Sequence, residues 1–524
     1  MKRLVVAVSV VMAGVAASLL AQAPAVRQVA YLKASNADAG DHFGNGGTLL
    51  GDSVAISGDG NTIAVGAPHE GSNATGINGN QNDNSLYNAG AVYVYTRNGT
   101  AWAQQAYVKP AHTQMSAEFG HAVALSADGN TLAVSAFFES SATKGINGDP
   151  KDASIPQAGA VYVFTRANGR WTQQAYLKAS NTGEAGEGDS FGDGDQFGFA
   201  LAISDDGNTI AVGATAEDSN ATGANGNQAD NSAQSAGAVY IYTRSGAAWS
   251  QQAYLKASNT AGGMQFGYGV SLNADGNTLA VGGYDEGGAS REINGPQARG
   301  RTGSGAVYIL TRAGTAWTQQ AYLKANNLDQ NDSLGAAVAL SDDGNTLFAG
   351  SLDEDCLATG VNPTVNCTED WKSDTSTGAG YIFVRSGATW TQQAFLKPTN
   401  TGANDWFASR LAISGDGNTI VAAAQLEDSI AKGINGNQAD DSAIEAGAAY
   451  VFRRTGTTWT QLAYVKGSNT EAYDEFASSV ALSRDGRTMV AGARAEDSAA
   501  KTVNGNQNDN GADEAGAAYV FTIQ

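Results

Sequence analysis

Positive charge is scarce in this chain: 30 Lys and Arg stand against 51 Asp and Glu over 524 residues, for a formal net charge of -21. Such a surface repels phosphate backbones, which excludes nucleic acid as a partner and suits cations, basic ligands or plain solubility. Cysteine is scarcer still. Cys356 and Cys367 are the only two and lie close together in one loop. In an oxidising compartment a local disulfide is the expectation, worth roughly 3 kcal/mol by chain entropy. Long apolar runs are absent after residue 20. Before it, Met1-Lys2-Arg3, the apolar stretch 4–20 and "AQAPA" (21–25) read as a cleaved export signal. The stretch is short for a bilayer span and no Cys follows it for lipid attachment. A soluble exported monomer is expected, secreted, periplasmic or at the cell surface. Loss of Lys2 and Arg3 takes the net charge from -21 to about -23. Sustained helical periodicity is also missing.

What is present is repetition. Asp-Gly recurs in one setting at Asp59, Asp128, Asp206, Asp275, Asp343, Asp416 and Asp485, with spacings of 69, 78, 69, 68, 73 and 69 residues. Trp102, Trp171, Trp249, Trp317, Trp390 and Trp459 keep the same beat. The third copy shows the unit: "FALAIS" (199–204), a tight "DDGN" turn, "TIAVGA" (209–214), a loop of about twenty residues, "AGAVYIY" (236–242), a short turn, then "WSQQAYLK" (249–256). β-Branched and aromatic residues bounded by Gly, Asn and Asp predict four strands per unit. Seven such units predict an all-β, seven-bladed β-propeller of four-stranded antiparallel blades. The last unit lacks its fourth strand, and "VRQVAYLK" (26–33) matches "WTQQAYLK" (171–178), with Val26 at the Trp position. The N-terminal strand should therefore complete blade 7, making 26–524 one propeller domain.

Phe119-Gly120, Phe197-Gly198 and Phe266-Gly267 before the first strand, with Gly66-Ala67-Pro68 after the second, resemble the FG-GAP repeats of integrin-type propellers. The resemblance covers 26–524. Blades 5, 6 and 7 depart from it with Leu334-Gly335, Phe407-Ala408 and Phe476-Ala477. The calcium hairpin that the family implies, D-x-D-x-D-G, is cut here to "SGDGNT" or "SDDGNT". Too few ligands remain for a six- to eight-coordinate ion. Asp59 and its equivalents are read as hairpin-turn residues, with Gly and Asn at positive φ.

Alternating strand direction sends the long loops and the connections between blades to one face of the disc, where binding usually lives. Glu70, Glu139, Glu217, Glu286, Glu354, Glu427 and Glu496 open that loop in all seven copies. A second acid follows the Asn-Gly turn at Asp83, Asp152, Asp230, Asp440 and Asp509, and blade 4 has Arg299 there. Two readings stand. These groups bond the loop's own backbone through Asx-turns, which is the preferred one, or they hold Ca2+ in some blades. The calcium candidates are Glu70 and Asp83; Glu217, Asn227 and Asp230; Glu427, Asn437 and Asp440; and Glu496, Asn506 and Asp509. Arg299 would neutralise Glu286. Asp195, Asp332, Asp405 and Asp474, two residues before each "FG" site, read as turn caps. Tyr93, Tyr162 and equivalents read as inter-blade packing. His42, His69, His112 and His121 fall in the first two blades and are read as surface residues holding no metal.

There is no H-E-x-x-H and no candidate thiolate. Near-identical chemistry repeats around a ring, whereas a catalytic site needs unlike residues converging once. The expectation is a binding or adhesion-type module without catalytic residues or an obligatory cofactor, presenting acidic loops to a protein or glycan. The alternatives are a structural envelope protein with no discrete ligand, and a propeller lyase or hydrolase.

Overall fold

The computed structural model describes residues 25–45, 51–183, 194–365, 367 and 375–524. The expected export signal lies outside them except for Ala25. Twenty-eight strands form seven four-stranded antiparallel sheets. Among the described residues no helix is long and apolar enough to cross a membrane. Blades 1 to 6 span 54–108, 123–177, 197–255, 266–323, 334–396 and 407–465. Blade 7 combines Phe476–Leu482, Thr488–Ala493 and Ala517–Ile523 with Val26–Leu32. Val26 stands opposite Ile523 and Leu32 opposite Ala518, so the N-terminal strand completes the last blade as the sequence predicts.

First strands of neighbouring blades touch in a ring, which places each first strand at the axis and each fourth strand at the rim. The core lies between blades. One cluster unites Val92 and Val94 of blade 1 with Val134 and Tyr162 of blade 2 and with Phe119. Tyr93 and its equivalents are buried, each such side chain contributing about 1.5–3 kcal/mol by burial. The FG and GAP glycines are a contact between blades. A Cβ on Gly66 would lie 2.0 Å from the Gly120 carbonyl oxygen, and Gly120 has φ of 104°.

On the hairpin face, Asp59 accepts the Ser57 hydroxyl at 2.6 Å and the Asn61 N–H at 2.9 Å, and Gly60 takes φ of 69°. Asp128, Asp206, Asp343 and Asp416 do the same. The acid is a turn residue, as expected. The expected positive φ at Asn is not found, since one left-handed residue suffices for the turn and the Asn serves as donor.

Just inside these turns the axis is closed. Gly58, Ala127, Asp205, Ala274, Asp342, Gly415 and Arg484 each donate a backbone N–H to the carbonyl of the next residue of that set, at 2.8–3.3 Å. Arg484 returns the last bond to Gly58. The Arg484 guanidinium bridges to the carboxylates of Asp205 and Asp342 across the ring. The channel therefore has a floor.

Candidate loop face and channel mouth

The opposite face is built from the long loops. In blade 1, Gly76, Ile77 and Asn78 lie along the end of the fourth strand. Asn78 N–H donates to the Tyr107 carbonyl at 2.8 Å, Lys109 N–H donates to that of Gly76 at 2.9 Å, and Ile77 bridges Val108. Asn78 takes φ of 56°, and its side-chain oxygen accepts the Tyr107 N–H at 2.9 Å. Asn147, Asn225, Asn294, Asn362, Asn435 and Asn504 repeat this cap. Asn is tolerated in the left-handed region and bonds locally there. The recurring Asn-Gly thus zips the loop to its blade.

At the loop's base every recurring Glu is buried against a lysine that ends a fourth strand. The pairs are Lys109–Glu70, Lys178–Glu139, Lys256–Glu217, Lys324–Glu286, Lys397–Glu354, Lys466–Glu427 and Lys33–Glu496, at 2.6–3.0 Å. Glu427 also accepts the Tyr464 hydroxyl at 2.8 Å and the Asn400 amide at 3.1 Å. Burial pushes the Lys466 ammonium down and the Tyr464 phenol up, while the Glu427 charge opposes the first shift and adds to the second.

The calcium candidates do not converge. Glu70, Glu217, Glu427 and Glu496 sit inside with their lysines. Asn227, Asn437 and Asn506 accept the N–H two residues on, at 3.1–3.2 Å. Asp83, Asp230, Asp440 and Asp509 do the same at 2.8–3.1 Å, near the surface. The neighbouring Ser hydroxyls and backbone N–H groups hold Asp83, Asp230 and Asp440 below the usual carboxylate range. Asx-turns account for these oxygens. A cation at Glu427 would sit against the Lys466 ammonium, so Ca2+ does not fit these sets. Arg299 does not neutralise Glu286 either. It donates to the Gly262 carbonyl at 3.0 Å, and Glu286 bonds Lys324. Asp332, Asp405 and Asp474 accept the N–H three residues back at 2.7–2.8 Å, as turn caps.

Unlike residues do meet at the mouth of the channel. The His42 and His69 rings lie against each other, tilted by 35° with centroids 4.3 Å apart, His42 bonding Glu514 at 2.8 Å and His69 lying 3.5 Å from Glu118. Burial, then His69, pushes the His42 imidazole down. His121 is buried 3.9 Å from the Phe137 ring, followed by Phe199, Tyr268 and Tyr284 in a continuous aromatic row. The reading of these histidines as surface residues fails for His42 and His121, because first-strand starts pack inward at the axis. His112 is partly exposed. Cys356 and Cys367 form the expected disulfide. Among the described residues, they and Glu354 are the one group of three metal-type ligands close enough to share an ion, and the sulfurs are spent on each other.

Three segments, 249–310, 390–452 and 459–521, match the FG-GAP repeat. Each runs from a fourth strand into the third strand of the next blade. No curated protein matches the chain. Among solved structures it is similar to a candidate 6-phosphogluconolactonase from Bacteroides uniformis ATCC 8492, at 11% identity and TM-score 0.42 over 79% of this chain and 85% of that one. It is also similar to Kuenenia stuttgartiensis hydrazine synthase, at 13% identity and TM-score 0.44 over 85% and 93%.

Proposed function

We propose that this seven-bladed propeller, three segments of which match the FG-GAP repeat, is an exported binding module whose loop face docks a protein partner. One observation carries the reading. Among the described residues the exposed large hydrophobics are Tyr87, Met115, Leu357, Val365, Ile430, Ile444 and Tyr473. All of them lie in long loops or blade connections, hence on the loop face. Exposed apolar anchors gathered on one face mark interaction sites. The rim around them is acidic, which favours a basic partner and a salt-sensitive on-rate. Loops bonded internally to their blades are already ordered, so little conformational entropy is lost on docking. The disulfide is consistent with work outside the cytoplasm.

The test is capture of surface or envelope proteins on immobilised propeller, read against two variants. Tyr87→Ser with Tyr473→Ser should abolish the specific band at unchanged melting temperature. Thr100→Ala with Arg170→Ala, on the hairpin face, should leave it intact. Equal capture by all three proteins, or capture of glycan alone, rejects the protein-docking reading. No capture at all returns the structural-envelope alternative.

A further inference from the structure

Arg484 and Arg410 both lie at the axis and are matched by charge unequally. Arg484 faces two carboxylates, Asp205 and Asp342. Arg410, on the first strand of blade 6, is 3% exposed. Its Nη1 donates to its neighbour's carbonyl, that of Ser409, at 2.7 Å. Its Nε lies 3.5 Å from Asp52, a carboxylate whose side chain is 61% exposed and so remains hydrated. Nε and Nη2 have no hydrogen-bond partner among the described residues. Burying a guanidinium charge whose one counter-charge is a hydrated carboxylate is costly.

Register makes the arginine conspicuous. The equivalent positions in the other blades are Ser53, Ala122, Ala200, Gly269, Ala337 and Ser479. Small residues line the axis at this level, and the space they leave is a cavity of about 30 Å³, bordered by Arg410, Asp52, Tyr268, Gly269 and Ala337. That volume holds a water or one small ion.

We propose that this cavity is a binding site for one small monovalent anion, of halide or formate size, held by the Nε and Nη2 donors of Arg410. The small volume sets the size limit, and the fork of Arg410 donors, faced by one hydrated carboxylate at Asp52, sets the charge. The protein's own negative charge opposes entry, so the affinity belongs in the millimolar range and weakens with competing salt.

The test uses the exported chain at constant ionic strength, exchanging bulky sodium gluconate for sodium chloride or sodium formate. Melting temperature should rise saturably, by about 2 °C at tenfold the dissociation constant. Chlorine NMR line width should broaden with the wild type. Arg410→Ala should lose both responses. In gluconate it should melt no lower than wild type, because alanine already stands at three equivalent positions. Identical melting of the wild type in all three salts overturns the site, as does the same response retained in Arg410→Ala. Absence of line broadening with the wild type overturns it independently of how the variant folds.

Discussion

Each buried Lys–Glu pair is a place where one side chain cannot be removed alone. Glu427→Ala leaves the Lys466 ammonium inside with the Tyr464 hydroxyl and no counter-charge. A cost of about 3–5 kcal/mol in denaturant unfolding is expected. Glu427→Leu combined with Lys466→Met should recover most of it, because paired apolar replacement removes both desolvation costs. If the double variant is as unstable as the single one, the pair is not what Glu427 is for. Half of this arrangement was legible in the sequence. The seven glutamates stood out as the loop's recurring acid, but reading them with Asp83 or Asp440 looked along the loop and not across to the fourth strand. The signal was available: Lys33, Lys109, Lys178, Lys256, Lys324, Lys397 and Lys466 close the seven "AYLK"-type strands and match the glutamates in number. Arg410 was invisible for another reason. It is an ordinary surface residue until register puts it in line with six small ones.

At the rim, neighbouring blades are stitched by a trio. The Trp171 indole and the Arg166 guanidinium both donate to Gln105 of the preceding blade, at 2.9 and 3.1 Å. Four further junctions repeat the trio through Gln174, Gln252, Gln320 and Gln393. Where blade 6 meets blade 7, all three polar members are replaced together, by Leu462, Val26 and Ile523, which share one apolar cluster. The junction of blades 7 and 1 is only half converted. Val29 stands where the Gln belongs, yet Arg97 and Trp102 remain, and the Trp102 indole N–H is buried without an acceptor among the described residues. An opening of about 340 Å³ borders Val29, Arg97 and Trp102. Val29→Gln should therefore stabilise the ring by about 1 kcal/mol, and the gain should vanish in a Trp102→Phe background. A destabilised Val29→Gln would show that packing of Val29 outweighs the missing acceptor. The strands and the closing strand were readable because the 26–33 match is local and periodic. The trio was not, since it joins residues sixty or more positions apart on different blades.

For the molecule as a whole, acid should be protective over a defined window. Burial raises Asp41, Asp405 and Glu475 to about 7 and Asp474 to about 8. Between roughly pH 4 and these values the native state holds protons that the unfolded chain has released, so stability falls as pH rises through the window. The contribution is fully present below the unfolded value and gone above about 8. Melting temperature should be higher at pH 5 than at pH 8.5, and Asp405→Asn with Asp474→Asn should flatten the difference while keeping both turn caps. A profile that rises from pH 5 to 8.5 would contradict the burial of these acids. Such coupling was beyond sequence reading, as was the axis, where seven distant segments meet. The circle of backbone bonds from Gly58 round to Arg484 has one more consequence. A linear array of repeats has ends, where units can fray one at a time because each feels only its neighbours. Here the array has periodic boundaries. Opening any one blade breaks two links of the same circle, and no blade occupies a terminal position from which melting could start at lower cost.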